Sequence, residues 1–202
     1  MRATPPAAIA QDAAGFLRRI VIIGFMGAGK STVGSVLARC IGWDFVDLDD
    51  EVARREGMPV HEIIRERGIA GFRRVESTVG RELLRCRATV ISVGGGWPAE
   101  SGHMDMLDST TVSIWLRVGA ETALDRIAGS DTARPLLQVD DPVGTAEALL
   151  RERVPHYRRG NIVVDTEDRA PEEVVMEILK HISPSKDTPV TGRAGWKGKE
   201  RE

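Results

Sequence analysis

Gly24-Phe25-Met26-Gly27-Ala28-Gly29-Lys30-Ser31 satisfies the pattern G-x-x-x-x-G-K-[ST] at every constrained position, and its flanks decide how it is read. Residues 20–23 before it are a strand-length apolar run, and residues 32–41 after it have helical sequence. Strand, loop and helix therefore follow in the order a phosphate-binding loop requires. Three glycines let backbone N–H groups turn inward on a polyphosphate, and the opening helix adds the positive end of its dipole. Gly27, Ala28, Gly29, Lys30, Ser31 and Thr32 are the expected ATP contacts, with Lys30 on the β and γ phosphates and the Ser31 hydroxyl on Mg²⁺. The rival reading is a glycine-rich turn with a solvated lysine, and the agreement of strand, loop and helix argues against it.

Working outward, the remaining chain alternates between the same two kinds of segment. Strands are expected at 43–47, 89–93, 111–116 and 162–164. Helices are expected at 51–55, 60–67 (closed by Gly68), 72–85, 100–107, 120–127, 145–153 and 171–182. This alternation predicts an α/β fold over 16–182, a parallel five-stranded sheet flanked by helices with ligands at the strands' carboxyl ends. Val75, Val79 and Leu83 form the stripe expected to face that sheet. Residues 128–144 break the periodicity with Gly129, Pro135 and Pro142, which predicts a mobile lid. Residues 1–15 read as a flexible leader and 183–202 as a disordered tail poor in large apolar residues.

Composition bounds the partners. The 202 residues, 42% of them hydrophobic, suit one domain with one core. Twenty-eight basic against thirty acidic residues leave a net charge of -2, without the basic field a nucleic-acid binder uses, so a small-molecule partner is expected. No apolar run approaches the ~20 residues of a membrane span. Cys40 and Cys86 form no CxxC motif and read as core thiols in a reducing cytoplasm, while His61, His103, His156 and His181 lack metal-ligand spacing.

The metal needs an acidic partner. The third strand ends Ile91-Ser92-Val93-Gly94 and offers no carboxylate, which leaves Asp47 and Asp49. As strand residues two apart they would face the loop together, while simple capping of the next helix is the alternative.

Six separated motifs now stand in order: GFMGAGKSTVG, Asp47-Leu48-Asp49, Gly71-Phe72-Arg73-Arg74-Val75-Glu76, Gly94-Gly95-Gly96, Arg134-Pro135-Leu136-Leu137, and Arg153-Val154-Pro155-His156-Tyr157. In these the chain resembles the shikimate kinases from about Ile20 to Ile182. The resemblance implies a P-loop kinase fold with a lid and a substrate-binding helical subregion. It implies transfer of the ATP γ-phosphate to the 3-hydroxyl of shikimate, in aromatic amino-acid biosynthesis, by a cytoplasmic monomer that binds neither nucleic acid nor membrane. Asp47 would then reach Mg²⁺ through water, and Asp49 would hold substrate hydroxyls beside the attacking oxygen. Arg73 and Arg153 would grip the substrate carboxylate, Gly94, Gly95 and Gly96 would approach it by backbone, and Arg134 would close over the phosphates. Lys30, Asp49 and Arg134 form the implied catalytic set. Glu76 either orients Arg73 or makes a surface pair. Trp97-Pro98 stands where the family usually has a small residue, so Trp97 either narrows the substrate rim or caps the loop. Ala70-Gly71-Phe72 lacks the family's acidic neighbour, and Gly160-Asn161 replaces its Ala-Asp. A gluconate kinase-like enzyme and a catalytically silent nucleotide-binding relative are the alternatives.

Overall fold

The computed structural model describes residues 17–128 and 139–182. The leader, the tail, Arg134 and most of the segment expected to be a lid lie outside the described residues.

Five parallel strands form one sheet in the order β2-β3-β1-β4-β5: β1 (Arg19–Gly24), β2 (Asp44–Asp47), β3 (Thr89–Ser92), β4 (Thr111–Arg117) and β5 (Ile162–Asp165). The central strand is apolar at consecutive positions because both of its faces are covered, and Ile20 to Ile23 are all fully buried. Its register sets Ile22 opposite Ser92 on one side and Ile114 on the other. Gly24, Asp47, Ser92 and Asp165 thus end strands at the same edge.

The helices are α1 (Lys30–Ile41), α2 (Leu48–Glu56), α3 (Val60–Leu83), α4 (Ala120–Ala128), α5 (Pro142–Tyr157) and α6 (Pro171–Ile182). Helix α1 packs against α6 and β3, α2 against α3, and α4 against α5. Helix α5 starts three residues before the sequence reading placed it. Asp141 caps it by accepting from Gly144 N at 2.9 Å, and Pro142, which lacks an N–H, suits the first turn.

Several expectations are corrected. Gly68 closes the first piece of α3 as expected, its φ of 67° and ψ of 171° being non-helical, but the second piece follows it directly instead of starting near residue 72, so α3 is two helices meeting at a kink. The face that α3 buries is Phe72, Glu76, Val79, Gly80 and Leu83, so a carboxylate sits inside the stripe and Val75 is only half-buried. Residues 100–107 are not an α-helix: short 3₁₀ turns at Trp97–Ala99 and Met104–Met106 flank Gly102, whose φ of 79° breaks helical continuity. Cys40 and Cys86 are exposed rather than core thiols, because Cys40 lies on the outer face of α1 and Cys86 follows the end of α3.

Candidate active site

The phosphate loop is held from outside as well as by its own sequence. Gly27 has φ 73°, and a Cβ there would strike the backbone of Ala123 in α4, so only glycine lets the loop lie this close to that helix. Lys30 Nζ donates to Phe25 O at 2.9 Å, which places the ammonium across the mouth of the loop. Ser31 Oγ donates to Asp47 Oδ2 at 2.6 Å, joining the start of α1 to the end of β2.

Asp47 both caps the helix that follows it and touches the phosphate loop. Its Oδ1 accepts from Asp49 N at 3.0 Å and caps α2, while its Oδ2 holds Ser31. The strand ends at Asp47, so Asp49 reaches the site from the first turn of α2 and not from a strand face. Both carboxylates nevertheless line one cavity of about 550 Å³ with Met26 to Val33, Ser92 and Gly94. Burial raises the Asp49 pKa above the ordinary carboxylate value, the Asp47 charge raises it further, and Lys30 and Arg73 oppose the shift.

The other half of the site is assembled from α3, the loop after β3, and α5. Arg73 Nη1 donates to Glu76 Oε2 at 2.6 Å, and Glu76 is fully buried. Burial pushes the Glu76 carboxyl up to about 7 despite the Arg73 guanidinium beside it. A Cβ on Gly94 would lie 3.0 Å from Glu76 Oε1 and 3.2 Å from Asp49 Oδ1. One on Gly96 would strike Arg73 Nη2 and lie 3.5 Å from Arg153 Nη2, so the glycine loop is where both arginines converge. Tyr157 Oη donates to Gly95 O at 2.6 Å and fixes that loop to the end of α5. Asp49 Oδ1, Glu76 Oε1 and Arg73 Nε are buried without a hydrogen-bond partner. Arg73 Nε faces Glu100 Oε1 at 3.0 Å, whereas the Asp49 and Glu76 oxygens meet at Gly94 with no partner. Unsatisfied atoms of this kind cost stability, and these two suit a ligand whose hydroxyls would supply the missing donors.

The structure brings Lys30, Ser31, Asp47, Asp49, Arg73, Gly94, Gly95, Gly96 and Arg153 to one end of the sheet. Trp97 lies neither on a rim nor over the loop. It is 1% exposed, its ring is 4.7 Å from that of His103, and Gly80 leaves the space it occupies. Sequence reading missed a further wall of the cavity: Arg126, Thr166, Arg169, Pro171 and Val174. Arg126 Nη2 donates to Thr166 O at 2.6 Å, tying α4 to the exit of β5. The available signal was Thr166 itself, since ligands gather beyond strand ends and β5 ends one residue earlier.

Comparison with known proteins places this geometry. The family description "Shikimate kinase" matches residues 26–183. A shikimate kinase of Moorella thermoacetica is 44% identical over 159 residues, which span 79% of this chain and 91% of that protein. One from Persephonella marina is 37% identical over 82% of this chain and 99% of its own length. Among solved structures, the shikimate kinase of Acinetobacter baumannii in complex with shikimate has a TM-score of 0.77 at 34% identity, covering 84% of this chain and 96% of that one. A gluconokinase of Sinorhizobium meliloti, at 19% identity and a TM-score of 0.53, shares the fold.

Proposed function

The chain belongs to the shikimate kinase family, and we propose that its loop cavity and its glycine-loop pocket carry out that family's reaction between them. The enzyme transfers the γ-phosphate of ATP to the 3-hydroxyl of shikimate, giving shikimate 3-phosphate and ADP. One observation carries the assignment of residues: Asp49 lines the loop cavity with Lys30, and its Oδ1 also lies beside Gly94, two residues from the glycine on which Arg73 and Arg153 converge. A hydroxyl held there faces the phosphoryl group that it must receive.

ATP would lie with its phosphates on Gly27 to Thr32 and its base toward Arg126, Thr166 and Pro171. The Ser31 and Asp47 oxygens, 2.6 Å apart at the loop, are hard donors of the kind Mg²⁺ takes, and a magnesium site needs few protein ligands because the ion keeps its waters. Ser31 would bind the ion directly and Asp47 through water, and the ion would neutralise charge on the transferring phosphate. Arg73 and Arg153 would receive the shikimate carboxylate, whose two oxygens match a guanidinium fork. Asp49 would accept a hydrogen bond from the 3-hydroxyl, aim its oxygen in line with the γ-phosphate and take its proton late in transfer. Its raised pKa makes it a better base for that task than an ordinary aspartate.

Arg134 lies outside the described residues and keeps the role that the family resemblance implies, closing over the phosphates. Arg134→Ala should then lower kcat while shikimate binding to the free enzyme stays measurable. A monomer working in the cytoplasm, where ATP is supplied, is the assembly and location proposed with this reaction. Release of ADP that requires shikimate and fails with gluconate tests the reaction, with ATP alone as the control.

A further inference from the structure

Arg73 lies between two carboxylates that differ in kind. Glu76, one turn along the same helix, is fully buried and hydrogen-bonded to Arg73 Nη1. Glu100 follows the 3₁₀ turn Trp97–Ala99, its side chain is 41% exposed, and its Oε1 is 3.0 Å from Arg73 Nε. That second contact lies off the N–H direction, and Arg73 Nε has no hydrogen bond although it is buried. Glu76 therefore fixes the guanidinium, while Glu100 supplies charge without satisfying the donor it faces.

Resting on the assignment of Arg73 to the substrate carboxylate, we propose that Glu100 is a competing anion that lowers this enzyme's affinity for shikimate. The glycine loop ties Glu100 to the same spot, through Glu100 N to Trp97 O at 3.2 Å and Trp97 N to Gly94 O at 2.9 Å. An incoming carboxylate meets a guanidinium whose charge Glu100 already offsets. When the substrate binds, the exposed Glu100 side chain can move into water at little cost. A pair with one exposed carboxylate and no aligned hydrogen bond contributes little to the fold. Its charge still counts against an anionic ligand, because the Arg73 side chain is only 21% exposed and its interactions are less screened than those at the surface. Glu100 is thus a residue that tunes substrate affinity, and its carboxylate touches neither the phosphates nor the acceptor hydroxyl.

Glu100→Gln keeps the shape and removes the charge. In steady-state assays the variant should lower the KM for shikimate by about threefold and leave the KM for ATP at its wild-type value. A direct titration of shikimate into the nucleotide-free enzyme should show the same gain. The methyl ester of shikimate, which carries no charge to compete, should be turned over with equal kcat/KM by wild type and variant. A shikimate KM that is unchanged or raised in Glu100→Gln overturns the proposal, since it makes Glu100 a bystander or a support for Arg73. An equal gain with the ester overturns it as well, by removing the role of charge. Wild type that fails to phosphorylate shikimate would instead overturn the substrate assignment on which the proposal stands.

Discussion

The two halves of the site are built in opposite ways. The phosphate loop is contiguous in sequence, and Lys30 and Ser31 make their named hydrogen bonds to Phe25 and Asp47 within or beside it. The acceptor pocket draws Asp49, Arg73, Gly94 to Gly96 and Arg153 from four separate segments, and it leaves the buried Asp49 Oδ1 and Glu76 Oε1 without partners. On the proposed reading, the first half would recognise a charge pattern common to all polyphosphates and can be complete without its ligand. The second would have to recognise one molecule, and the atoms left unsatisfied are the ones such a ligand is expected to complete.

Lys30→Ala tests the complete half and should have the largest effect. A loss of about a thousandfold in kcat/KM is expected, because the loop keeps its backbone donors and loses its point charge. Near-normal turnover would show that the backbone cradle alone suffices.

The strained half should reveal itself next, through pH. The Glu76 pKa is raised in the fold from 4.5 to about 7, so the folded state favours the protonated carboxyl. Its stabilising effect is fully present below 4.5 and is lost as pH rises through about 7, a change of roughly 3 kcal/mol. Denaturant melts of wild type and Glu76→Gln at pH 5 and pH 8 isolate it, and the variant should lack that part of the decline. Parallel pH profiles would mean that Glu76 is not under strain.

Asp49→Asn should cost about a hundredfold in kcat/KM, or ~2.7 kcal/mol, with ATP binding intact. Rescue by added Mg²⁺ would move Asp49 from the acceptor half to the metal. Arg73→Ala and Arg153→Ala should each raise the shikimate KM by about tenfold to a hundredfold and leave ATP affinity near wild type. An equal loss of ATP affinity would erase the division between the halves. The smallest effect belongs to Cys40→Ser, an exposed site on the helix behind the loop, where stability should change by less than about 0.5 kcal/mol in the same melts.

The sequence by itself determined the phosphate-loop motif and the sheet. The glycine spacing of the loop, the unbroken apolar run of β1 and the β-α alternation are local properties, set by backbone conformation and by covering both sheet faces. Six motifs in order were enough to identify the family. Tertiary structure alone decided how the acceptor half is wired. Burial, which no residue carries in its own identity, turned Glu76 from a candidate surface pair into a carboxyl titrating near 7. Packing against His103 and Gly80 took Trp97 away from the substrate rim. The end of β2 at Asp47 placed Asp49 on a helix, where the period of two no longer applies. The meeting of Arg73 with Glu100, and of Tyr157 with Gly95, joins residues 27 and 62 positions apart. Contacts at that separation depend on how the elements pack, and no spacing rule within one element can report them.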